Sequence, residues 1–113
     1  MSSADVLKQL KIKTNSVKRL NKELGMYEDE KEKETMKVAR LKAEGADSSD
    51  IKQAENVLSE SMMMVPETRQ RLEAAYNDLQ SFVTENGEDV STSEELTVAQ
   101  QVLELAKHLF VAA

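Results

Sequence analysis

The chain has 113 residues, of which 32% are charged and 4% aromatic, with three glycines, one proline, no cysteine and no tryptophan. That composition excludes a disulfide framework and thiolate metal sites, and it fits long charged helices rather than a sandwich or barrel, which would need many turn residues and strand formers. The net charge of −6 is unevenly spread: residues 1–45 hold eleven Lys or Arg against eight Asp or Glu, and residues 46–113 hold four against thirteen. No apolar run approaches the roughly 18 residues of a membrane span, and "MSSADVLKQLKIKT" lacks the continuous apolar core of a secretory signal. The expectation is one soluble intracellular domain over residues 1–113.

Helix 1 is predicted over about residues 4–44, with an apolar stripe of Leu10, Val17, Leu20, Leu24, Tyr27, Val38 and Leu41. Its most basic part runs from Lys8 to Lys22 and includes Lys18 and Arg19. This face either neutralises acidic neighbours within the protein or meets an acidic partner. Lys31 and Glu34 fall where the stripe expects apolar residues, so the distal part of the helix should be thinly packed and mobile. "AEGADSSD" then breaks the chain: Gly45 can take the left-handed conformation past a helix end, and Asp47 can cap the next helix.

Helix 2 is predicted over about residues 48–86, with Ile51, Ala54, Leu58, Met62, Val65, Leu72, Ala75 or Tyr76, Leu79, and Phe82 or Val83 as its stripe. Near its middle stands "SMMMVP". At helical spacing Met62 belongs to the core with Leu58, Met63 points away, and Met64 sits on a flank beside Val57. Met63 and Met64 are either scattered surface apolar residues or an adaptable contact patch with Arg69. Pro66 cannot donate to the Met62 carbonyl, which predicts a kink around residues 62–66. A second break, "ENGEDVSTSEE", contains Asn86-Gly87 and a capping box from Ser91 with Glu94 or Thr92 with Glu95. Helix 3 follows over about residues 92–111, with Leu96, Ala99, Leu103, Ala106 and Phe110 facing inward.

Short connections make sequential helices antiparallel neighbours. The fold class is therefore all-α: an elongated, coiled-coil-like (spectrin-like) antiparallel three-helix bundle with two long helices and one short one. The long members would measure about 57–60 Å at 1.5 Å per residue. Where helix 3 runs out, helices 1 and 2 should form a two-stranded hairpin.

Catalytic machinery is not legible. His108 is the only histidine, near the end of helix 3, and it has no second imidazole or thiol to share a metal. The serines have no base beside them, and no glycine-rich loop cradles phosphate. "EDEKEKE" mixes signs as a solvated helix face does. The expectation is a non-enzyme without cofactor or metal, binding neither nucleic acid nor membrane. What remains is a helical binding module, or a structural coiled coil that self-associates.

Several stretches narrow that choice. "LKIKT", "KQAENVL", "ES-x-MM-x-P" with Met63, Met64 and Pro66, and "RLE-x-A-x-x-DL" resemble the tubulin-binding cofactor A family, also called tubulin-specific chaperone A. The resemblance is strong over about residues 7–84 and weak in helix 3. It implies a three-helix bundle in the cytoplasm and microtubule cytoskeleton, without ATP or GTP. It implies capture of quasi-native β-tubulin released from the cytosolic chaperonin, passed on through other tubulin-folding cofactors to pairing with α-tubulin. Under that resemblance the candidate β-tubulin contacts are Met63, Met64, Arg69, Lys18, Arg19 and Lys22, and a monomer is expected rather than a homodimer. The structural residues are Pro66, Met62, Leu58, Gly45 and Gly87.

Overall fold

The computed structural model describes residues 1–110. It contains α1 (Ser3–Ala43), α2 (Ser48–Asn86), a short 3-10 turn (Gly87–Val90), α3 (Glu94–Ala106) and a final 3-10 turn (Lys107–Leu109). No strand occurs among the described residues. The helix expected over about residues 92–111 is shorter: α3 gives way at Ala106 to the final 3-10 turn, and residue 111 lies outside the described residues.

Local sequence sets each helix end. Ser2 and Asp5 form a reciprocal cap on α1: the Ser2 hydroxyl donates to Asp5 Oδ2 at 2.8 Å, and the Asp5 N–H donates to Ser2 Oγ at 3.2 Å. At the other end Gly45 takes φ 70°, the Gly45 N–H donates to the Lys42 carbonyl and the Ala46 N–H to the Leu41 carbonyl. This pair of bonds is a Schellman closure, which satisfies two carbonyls that α1 leaves unpaired. α3 is capped by Ser93, whose Oγ accepts from the Leu96 N–H at 3.1 Å. The predicted caps at Ser91 and Thr92 are thus displaced to Ser93, because those two residues belong to the turn that follows the 3-10 segment.

The chain divides into two compact units: Met1–Asn21 with the chain from Gln70 onward, and Lys22–Arg69. The first is a three-helix unit. Its core is Val6, Leu10, Val17 and Leu20 from α1, Leu72, Tyr76 and Leu79 from α2, and Leu96, Ala99, Val102 and Ala106 from α3, with Val90 of the 3-10 turn. Each buried Val or Leu side chain contributes about 1.5–3 kcal/mol relative to exposure. Lys13 ties α1 to α2, with Nζ 2.7 Å from Asp78 Oδ2 and 5.4 Å from the centre of the Phe82 ring. Tyr76 and Phe110 stack in a tilted geometry at 5.3 Å, which holds the described end of the chain against α2. Thr14 is 3% exposed and its hydroxyl has no partner.

The second unit is a helical hairpin. Its buried apolar residues are only Leu24, Val38 and Ala54, and its α2 stripe is completed by buried Ser61 and Thr68. Tyr27, Leu41, Ile51, Leu58 and Val65 are half-buried. Glu34 interrupts the seam: it is half-buried, and its Oε2 is enclosed without a hydrogen-bond partner. Lys31 is exposed.

One core assignment is overturned. Met62 is 51% exposed, and Ser61, at 3%, occupies the seam in its place. The stripe on α2 runs through Ala54, Leu58, Ser61, Val65, Thr68 and Leu72, alternating steps of four and three. Apolarity favoured Met62, but helix phase favours the residue three beyond Leu58. The same shift occurs in α3, where Val102 is buried and Leu103 only half-buried. α2 continues as one helix through Pro66, which has no N–H to offer the Met62 carbonyl.

Two outcomes follow for stability. In urea denaturation Leu72→Ala should lose about 2–5 kcal/mol, whereas Met62→Ala should stay within about 0.5 kcal/mol. Equal losses would contradict the phase assigned to α2. Glu34→Leu should remove a poorly solvated carboxylate from the hairpin seam, slowing amide hydrogen exchange in Lys22–Arg69 and raising Tm. Unchanged exchange rates there would show that Glu34 does not weaken the seam.

Candidate protein-contact surfaces

The side chains that could carry chemistry are dispersed. His108 is exposed in the final 3-10 turn. No group of three or more His, Cys, Asp or Glu is placed to hold a metal ion among the described residues. No helix among them is long and apolar enough to cross a membrane. The surface features that remain are exposed apolar side chains, basic residues and two clefts.

Exposed large apolar side chains occur in both units: Met1, Ile12 and Leu105 in the three-helix unit, and most of the exposed methionines in the hairpin unit. Met26, Met36, Met62 and Met63 are 51–67% exposed and all lie in the hairpin unit, together with Val57. Met64 is half-buried. Met63 projects from the side of α2 opposite the seam, while Met62 and Met64 occupy opposite flanks. The "MMM" run therefore presents thioethers over most of the helix circumference. These flexible, polarizable side chains conform to irregular surfaces. A groove of about 450 Å³ in the same unit is lined by Glu28, Lys31, Glu32, Thr35, Met36 and Val65. Its mouth is charged, while Met36 and Val65 supply apolar contact.

The basic candidates divide between the units. Lys18 and Arg19 are exposed on α1 in the three-helix unit, and Lys22 and Arg69 are exposed in the hairpin unit. Lys18 and Arg19 are consecutive and lie about 100° apart around the helix. Met63, Met64 and Arg69 share α2 but not one face. In the three-helix unit a second cleft, also about 450 Å³, is lined by Lys11, Thr14, Asn15, Lys18, Glu94, Glu95 and Val98.

Sequence reasoning singled out Met63 and Met64 but overlooked Met26, Met36 and Ile12. Ile12 is 50% exposed between two lysines in "KIK". Each could have been found by projecting α1 at the same angular step that was applied to α2.

The comparisons with known proteins agree on one family. The family model described as Tubulin binding cofactor A matches residues 5–103. The chain is 45% identical over 101 residues to tubulin-specific chaperone A of Homo sapiens, covering 89% of this chain and 93% of that protein. It is 52% identical over 79 residues to tubulin-folding cofactor A of Arabidopsis thaliana, covering 70% of each. The crystal structure of tubulin folding cofactor A from Arabidopsis thaliana superposes with a TM-score of 0.80 at 42% identity, over 92% of this chain and 97% of that one. An all-helical fold with two long helices and a short third, matched in sequence over most of its length, makes this chain a member of the tubulin binding cofactor A family.

Proposed function

We propose that this protein is a β-tubulin chaperone. It captures quasi-native β-tubulin after release from the cytosolic chaperonin and keeps it from aggregating. It then passes it, with other tubulin-folding cofactors, toward pairing with α-tubulin. The work is done by surface complementarity in the cytoplasm, close to the microtubule cytoskeleton, with no nucleotide, metal or covalent step. The protein acts as a monomer. Membership of the family supports the client, and the observation that supports the mode of action is the crowding of exposed methionines in the hairpin unit.

The physical case starts from the client. A folding intermediate that has not met its partner exposes apolar surface rimmed by polar groups. Covering it requires apolar side chains that adapt in shape and a charged rim that fixes orientation. Met63, Met62 and half-buried Met64 supply the first, and Arg69, Lys22, Lys18 and Arg19 supply the second. Because the hairpin core needs none of the exposed thioethers, they remain available to a client. Pro66 bends α2 beside this patch under the same proposal, changing the direction in which the methionines are presented.

Gel filtration of purified protein with β-tubulin should give a complex of one copy of each, and the protein alone should elute as a monomer. A tight homodimer that ignores β-tubulin would instead favour the self-associating coiled coil. Met63→Glu should weaken capture by about tenfold, as loss of a central apolar contact does, with helicity and Tm unchanged. Capture at wild-type strength would make Met63 ordinary surface.

Pro66→Ala restores an N–H that can reach the Met62 carbonyl and should raise stability by about 1 kcal/mol or more. A crystal structure of that variant should show a straighter α2. A bend of the same size would remove proline as its cause.

A further inference from the structure

The longest stretch of the chain without a carboxylate beside its basic residues is on α1. Residues 6–22 contain five lysines and one arginine and no Asp or Glu. Lys13 is used within the three-helix unit, through its bridge to Asp78. Lys8, Lys11 and Lys18 are exposed and form no ion pair among the described residues. Arg19 is exposed beside them.

Helix geometry organises these residues. Lys8, Asn15 and Arg19 lie almost opposite the buried Val6–Leu10–Val17 stripe, with Ile12 on one edge and Lys11 and Lys18 on the other. Ile12 is 50% exposed and is the one large apolar side chain within the strip. Lys11 and Lys18 are two turns apart, about 10.5 Å along the axis. The whole strip, Lys8 to Arg19, spans about 16.5 Å. In a chain of net charge −6, the exposure of Lys8, Lys11 and Lys18 is not explained by direct ion pairing among the described residues.

We propose that this strip docks a short acidic segment of a partner protein. On the reading given above, on which this inference rests for the partner's identity, that partner is β-tubulin. Carboxylates of the segment meet Lys8, Lys11 and Lys18, and an apolar side chain on the segment's other edge covers Ile12. Charge complementarity favours an acidic protein segment over two other polyanions. A nucleic acid strand would find no aromatic side chain on the strip to stack on, and it would extend over the acidic remainder of the chain. An anionic membrane would have only Ile12 to bury. Glu94 and Glu95 border the cleft beside Lys11 and Lys18 and oppose an anion at that edge.

The test uses the full-length chain and a fluorescein-labelled peptide of alternating Glu and Leu at helical spacing, about 14 residues and 21 Å long. Lys11→Glu with Lys18→Glu should weaken peptide binding tenfold or more, with helicity retained because both residues are exposed. Glu94→Gln with Glu95→Gln should tighten it several-fold, a change that mere loss of structure could not produce. Peptide-induced amide shifts should fall on residues 8–19, and about 0.5 M salt should abolish the difference between variants.

Equal peptide affinity for wild type and the lysine variant overturns the proposal, as do shifts centred elsewhere. So does single-stranded RNA or a phosphatidylserine vesicle that binds the strip more tightly than the peptide. β-Tubulin capture is then measured on the same proteins. Undiminished capture by the lysine variant removes the strip as the client surface. If wild type binds the peptide at the strip but captures no β-tubulin, the acidic-segment site stands and the chaperone reading fails.

Discussion

The apolar seams of α1 and α2 advance in steps of three and four residues, and a residue's phase on them decides what its side chain can do. With no strand among the described residues, no cysteine and few aromatic residues, burial along these seams is the main source of cohesion. Leu10, Val17, Leu72 and Leu79 are nearly or wholly buried because they fall in phase. Ile12 and Met63 are apolar yet exposed because they fall out of phase. A soluble helix normally fills such positions with charge, and most of α1 does. The exceptions are therefore the side chains whose presence the fold itself does not explain.

The two units use the seam differently. In the three-helix unit α3 supplies Leu96, Ala99, Val102 and Ala106, so large residues meet partners from several directions. The hairpin unit has no third helix. Its seam accepts Ser61, Thr68 and Glu34, and its buried apolar residues are few. A pair of helices can bury only a narrow stripe on each, and every side chain beyond that stripe faces water. That geometry leaves thioethers on the outside of this unit. It also explains why an apolar residue such as Met62 adds little to folding while a small polar residue next to it is enclosed.

Much of the architecture was legible in the sequence because its signals are local. Gly45 after a run of helix formers announces a left-handed closure. Three- and four-residue spacing gives the existence of three helices. Errors arose where two neighbouring residues competed for one phase. Met62 is more apolar than Ser61, and Leu103 is as apolar as Val102, so hydropathy could not decide between them. Only the position of the facing helix does. The cap at Ser93 was misplaced for a related reason: a 3-10 turn after Asn86 consumes four residues, and its length is not encoded by capping motifs. The contact surfaces were less legible still. Exposed apolar residues are common on all proteins, and their grouping becomes meaningful only when their exposure is known.

The charge distribution sharpens what such a surface can do. Beyond a Debye length, about 8 Å at physiological salt, charge interactions are largely screened, so net charge does not gather an acidic chain and an acidic segment from afar. A basic strip acts only at close approach, after the partner has been brought near, and it then discriminates orientation more than it adds affinity. Apolar contacts, which carry most of the binding energy in protein interfaces, have the opposite character: strong at contact but tolerant of orientation. Under the proposed function, holding a client and later releasing it, this division is physically useful. Adaptable thioethers give contact without demanding one fixed client shape, and a few exposed lysines bias the pose while remaining open to competition from another charged surface.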